Sequence, residues 1–141
     1  QVMGPSQRAA KNMDEVNPYG STDMIEFTFP DGQGSAMVMV STYDKAVGYD
    51  LEVGLDGACN GAVQNISGLI LEYTRSQFGP YSSRVFQFRT QSYGSTVVGK
   101  GRGIAIAPHS IVVAMTFMKD NAAAKALGDT FMNTLTVVPQ P

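Results

Sequence analysis

The sequence predicts an α+β domain: a central antiparallel β-sheet of about six to seven strands, flanked by a C-terminal helix and a short mid-chain helix. Three observations carry that prediction. Alternation of apolar and polar residues with period two recurs along most of the chain. The breaks between these runs are of hairpin length and hold Gly, Pro, Asn, Asp and Ser, which joins strands antiparallel. Only near the end does the apolar spacing change to steps of three and four. At 141 residues the chain is close to one average domain. It divides into an N-terminal arm over 1–22 and a single domain over 23–141.

The arm lacks periodicity and holds Pro5, Asn17-Pro18 and Gly20-Ser21-Thr22, so it reads as extended or as a short helix over Arg8 to Val16. Met24 to Phe29 alternates and stops at Pro30-Asp31-Gly32. Ala36 to Tyr43 is nearly all apolar or β-branched, as in a strand covered on both faces. Tyr49, Leu51, Val53 and Leu55 alternate with Asp50, Glu52 and Gly54 and read as the cleanest strand. Ala58 to Ser67 is the short mid-chain helix, turning Ala62, Val63 and Ile66 inward between Gly57 and Gly68. Strands follow at Leu69 to Arg75, Arg84 to Thr90, Thr96 to Ala107 and Ile111 to Met118. Asp120 or Asn121 caps the last helix, whose stripe is Ala123, Ala124, Leu127, Thr130, Phe131 and Leu135. Thr134 to Val138 is β-branched and reads as a final short strand.

Composition excludes more than it identifies. Charged residues are 16% of the chain against ~25% in ordinary soluble domains, and the formal charge is −2. Nothing here draws the protein to nucleic acid or to anionic lipid. The stretch Gly103 to Met118 is too short to span a bilayer and contains Pro108, His109 and Ser110, so no transmembrane segment is expected. Low charge and abundant small polar residues point to an exported protein (periplasmic, lumenal or extracellular) rather than a cytoplasmic one. Asn65-Ile66-Ser67 is a formal glycosylation sequon.

No catalytic, cofactor-binding or metal-ligating set stands out. His109 is the single histidine and sits in a Pro-His-Ser turn, where it could serve Ser110 only if a carboxylate oriented it. Cys59 is the single cysteine, so an internal disulfide is excluded, and no histidine or cation near it in sequence would activate the thiol. Asp50 and Glu52, with Asp56 at the following turn, could form a weak calcium site, although the EF-hand spacing is absent. Gly99-Lys100-Gly101-Arg102-Gly103 suggests a phosphate loop or an RNA platform, but it precedes a strand and lacks stacking aromatics. Gly99, Gly101 and Gly103 share one strand face, which marks a close approach by a helix, a bulge or a partner. Met37 and Met39 fall on one face with Tyr43 and, where exposed, would mark a partner surface.

The order of elements resembles the PsbP-like group. The points of likeness are Phe27-Thr28-Phe29-Pro30, the strand Arg84-Val85-Phe86-Gln87-Phe88-Arg89, a Gly-rich strand, and the ending Phe131-Met132-Asn133-Thr134-Leu135-Thr136-Val137. The resemblance spans about residues 24 to 138 and is one of order and endings. It implies a central antiparallel sheet sandwiched by helices. It also implies a non-catalytic binding or assembly module, the group including an extrinsic photosystem subunit, a nuclear-transport cofactor and chaperones for secreted effectors. No member's functional motif matches, so no residue role is carried over.

The expected function is therefore a non-enzymatic exported domain acting through protein contacts, with a partner or by self-association as a homo-oligomer. The expected interaction surface comprises Met37, Met39, Tyr43, Gly99, Gly101 and Gly103, and the arm is expected to stay disordered or dock on a neighbouring subunit. The alternative is a carrier of a small apolar ligand, with its pocket between the sheet and the C-terminal helix.

Overall fold

The computed structural model describes residues 7–12, 21–42, 50–92, 94–106 and 110–136. Seven strands form one antiparallel sheet: β1 (Gln7–Asn12), β2 (Ser21–Thr28), β3 (Gly34–Thr42), β4 (Leu69–Phe78), β5 (Tyr81–Ser92), β6 (Ser95–Ile106) and β7 (Ser110–Lys119). Two helices, α1 (Leu51–Asn65) and α2 (Ala122–Asn133), complete an α+β fold built on a central sheet. The spatial order is β1-β2-β3-β7-β6-β5-β4. Two meanders are thus joined where β3 meets β7, and α1 carries the chain from β3 to β4 at the far edge. β4 and β1 are the two edge strands.

Register fixes which side chains share a face. Met37 pairs with Met115, Met39 with Val113 and Ser41 with Ile111, and β6 places Gly101, Gly103 and Ala105 opposite the same three residues of β7. These residues face α1. Their alternates, including Ala36, Val38, Ala114, Thr116 and Met118, face α2. One core fills the α1 side with Leu55, Cys59, Val63, Phe86, Phe88, Ile111, Val113 and Met115. The second fills the α2 side with Phe29, Ala36, Met118, Ala124 and Phe131, and the Phe29 and Phe131 rings meet edge to face at 6.0 Å. Each such aromatic contributes roughly 2–3 kcal/mol on burial, so the two cores hold the helices to opposite faces of the sheet.

The helices depend on capping as well as packing. The Asp50 carboxylate accepts from the backbone N–H of Glu52 and Val53, and the Asn121 side chain accepts from the Ala124 N–H at 2.8 Å. Both satisfy donors that a helix start leaves without a partner. The expected cap at Asn121 is therefore present.

The largest departure from expectation is α1. The segment read as a strand over Tyr49 to Leu55 is helical from Leu51, and the short helix expected from Ala58 begins seven residues earlier. Leu51, Leu55, Cys59 and Val63 recur every four residues along one helix face and enter the core, whereas Val53, placed inward by the strand reading, is 67% exposed. The expected strand at Thr134 to Val138 is absent over its described part, because Thr134 closes α2 by donating its N–H to Phe131 O. Over 7–12 the arm is extended and pairs with β2 of the same chain, so Arg8 to Asn12 are not helical and that part docks on its own sheet. No helix of the described residues is long and apolar enough to cross a membrane.

Candidate functional site

The residues singled out in the sequence do not meet as a surface. Gly99, Gly101 and Gly103 are buried by the chain itself. A Cβ on Gly101 would lie 2.1 Å from the Phe86 ring, one on Gly99 2.2 Å from the Phe88 ring and 2.1 Å from Thr116 O, and one on Gly103 2.3 Å from Cys59 Sγ. Phe86 is the β5 partner of Gly101, and Phe88 that of Gly99. Each missing side chain makes room for the ring beside it. The close approach is thus real, but the approaching groups are β5 aromatics and α1, and Gly99 and Gly101 otherwise contribute only to the lining of hollows on the opposite face. Met37 and Met39 lie half-buried against the α1-side core rather than forming an exposed patch, and Tyr43 lies outside the described residues.

The carboxylates proposed for calcium are committed elsewhere. Glu52 and Asp56 stand one helical turn apart on α1, where residues four apart share a face. Both reach Arg84 of β5, a side chain only 2% exposed: Nη2 donates to Glu52 Oε1 at 3.1 Å and Nε to Asp56 Oδ1 at 2.7 Å. Arg84 Nη1 also donates to Ser83 O, and the Tyr73 hydroxyl donates to Asp56 Oδ1. Hydrogen bonds from Arg84 and then Tyr73 hold the Asp56 carboxyl below its usual range. For Glu52 the lowering comes first from Ser82 and then from Arg84. These bonds pin α1 to β5. Asp50 is used in capping, so the three carboxylates present no open cation site.

Cys59 lies beneath this network. Burial, then the neighbouring Asp56 charge, pushes its thiol up to about 12, the reverse of what a nucleophile needs. His109 lies outside the described residues. Among the described residues there is no group of three or more His, Cys, Asp or Glu side chains able to hold a metal.

The more open chemistry is on the opposite face. α2 packs on β6 and β7, and among the described residues no element covers the α2 side of β4 and β5, where Leu69 and Leu71 are 54% and 53% exposed. Leu71 sits at a register irregularity between Ile70 and Glu72 of the edge strand. It lines a groove of about 330 Å³ with Val98, Met118, Lys100 and Asp129. A second hollow of about 300 Å³ lies between Val85, Arg102 and Met132. Lys100 Nζ and Asp129 Oδ1, 2.8 Å apart, line both. Arg102 stands 5.1 Å over the Phe78 ring and donates from Nη1 to Ser83 Oγ at 3.0 Å; Ser83 Oγ in turn donates to Gly103 O. Burial lowers the pKa of Arg102, and no carboxylate pairs with it among the described residues.

The sequence reading takes Lys100 and Arg102 only as part of a phosphate-loop or RNA-platform string and gives Asp129, Leu69 and Leu71 no functional role, although a further signal exists. Lys100 and Arg102 alternate with the three glycines, so strand geometry puts the cations on the face opposite the stripped one.

Comparison with known proteins finds no matching family model and no matching curated protein. Among solved structures, the chain is similar to a Pseudomonas aeruginosa protein of unknown function described as a candidate regulator. The TM-score is 0.57 at 10% identity, over 86% of this chain and 85% of that one. At that identity the likeness is one of fold alone.

Proposed function

We propose that this chain is a binding domain that acts through protein contacts rather than by catalysis, and that its binding face is the uncovered α2 side of β4 and β5. The observation that carries the reading is the pairing of an open sheet edge with exposed Leu69 and Leu71 beside a groove walled by α2. Exposed strands with apolar side chains invite pairing with another chain, and a groove beside them supplies specificity. The PsbP-like resemblance and an exported location belong to the same reading, the second on the low charge of the chain. The carrier alternative is less favoured. The space between sheet and α2 is filled by Phe29, Met118, Ala124 and Phe131, and the hollows flank the helix instead of lying under it.

Light scattering after size exclusion, combined with affinity capture, tests the proposal. Wild type is expected to self-associate or to retain a protein partner, and Leu69→Ser with Leu71→Ser to lose that association while staying folded. A monomer that captures nothing, or association unchanged in the double variant, would contradict it.

A further inference from the structure

We propose that the trough beside α2 recognises a carboxylate carried on an apolar-flanked segment of a partner protein, with Arg102 as its anchor. This rests on the binding reading above and names the chemistry of the partner. Arg102 carries five N–H donors on a planar guanidinium, and its contacts on the page are one hydrogen bond to Ser83 Oγ and the face of Phe78. Both hold the side chain in one orientation without neutralising it. Burial already disfavours its charge, so a carboxylate arriving there would relieve a cost that the folded chain carries alone.

The surroundings select among anions. The other cation of the hollow, Lys100, is committed to Asp129, so the site offers about one uncompensated positive charge. That suits a monovalent carboxylate better than a phosphate, and Asp129 would repel a second negative charge. Val85 and Met132 line the same hollow as Arg102, and the adjoining groove continues past Lys100 to Val98 and Leu71. Apolar residues on either side of the acidic one would therefore find apolar contacts. A free small acid would gain only the charge contact, whereas a peptide segment gains both.

Two pooled 12-residue peptide libraries provide the probe, identical except for a fixed central Glu or Gln flanked by Leu. Wild-type protein is expected to capture the Glu library about tenfold better. Arg102→Gln is expected to abolish that preference. Because this variant also removes a bond to the buried Ser83 hydroxyl, amide shifts are read in parallel on wild-type protein. The Glu peptides are expected to move Val85, Lys100 to Gly103 and Met132, and acetate at the same carboxylate concentration to leave them in place. Equal capture of both libraries would overturn the carboxylate assignment while leaving the binding reading intact. Capture of neither, or shifts by acetate as large as those by peptide, would also overturn it, and the light-scattering test judges the binding reading separately.

Discussion

Arg84 of β5 and Asp56 of α1 form a 2.7 Å ion pair whose cation is almost wholly buried and whose anion is 38% exposed. The asymmetry matters. The carboxylate can return to water when the pair is broken, but the guanidinium cannot. Arg84→Met removes the buried charge and keeps much of the volume. Because Asp56 and Glu52 can rehydrate, it should cost about 1–3 kcal/mol, below the 3–5 kcal/mol of a fully buried broken pair. Asp56→Leu leaves the cation buried with Glu52 as its remaining carboxylate and should be the more damaging change. Urea unfolding of the two variants measures the order.

The same network sets an acid dependence. Asp56 and Glu52 have their pKa values lowered from 3.8 and 4.5 by folding, so below those values the unfolded chain binds more protons than the folded one. The stability they contribute is complete above about pH 5 and is lost as pH falls through the lowered folded values. Unfolding free energy should therefore decline from pH 5 toward pH 2, and the slope should flatten in Arg84→Met. An unchanged slope would remove the pair from the account.

Glycines in this chain should respond oppositely to alanine. A Cβ at Gly99 would meet the Thr116 carbonyl at 2.1 Å, and backbone cannot step aside, so Gly99→Ala should destabilise by about 2–4 kcal/mol. A Cβ at Gly57 meets nothing within 4 Å on the outer face of α1, so Gly57→Ala should stabilise by about 0.5–1 kcal/mol. Thermal melts of both variants decide.

Cys59 is fully buried and its thiol is pushed up to about 12, so at pH 8 iodoacetamide should modify the native protein at least about a hundredfold more slowly than the urea-unfolded chain. Comparable rates would show that α1 opens readily or that the thiol is exposed.

Asn121→Ala should cost about 1 kcal/mol by leaving the Ala124 N–H without its acceptor, and Asn121→Asp should keep most of the capping. Urea midpoints for the two variants give the comparison.

Much of the sheet was legible because period-two patterning reports a face directly. Six expected strands, from Met24 to Phe29 through Ile111 to Met118, coincide with β2 to β7 within a few residues at their ends. Helix α1 was not legible for a specific reason. Over Tyr49 to Leu55 a period of two and a period near four share Leu51 and Leu55, and only Tyr49 and Val53 separate them. The capping Asp50 and the return of the stripe at Cys59 and Val63 favour helix, but Gly54, Gly57 and Gly61 weigh against it. Tertiary burial against Phe86, Val113 and Met115 decided the outcome.

The binding face was harder still. Sequence shows that Lys100 and Arg102 share a strand face, but not that Asp129 of α2 takes Lys100 and leaves Arg102 without a carboxylate. It cannot show that α2 stops short of β4 and β5. Met37 and Met39 illustrate the converse: a strand face was identified correctly, while its burial depended on where α1 came to rest.

A photo-reactive benzophenone side chain placed at Leu71, and separately at Val53, tests the location of the binding face most directly. Both positions are exposed and apolar, and they lie on opposite sides of the molecule, Leu71 on the α2 side and Val53 on the outer face of α1. Irradiation with the partner or a second copy present should yield protein adducts from Leu71, lost when Leu69 becomes Ser, and none from Val53. Adducts from Val53 alone, or in equal yield from both positions, would contradict the account.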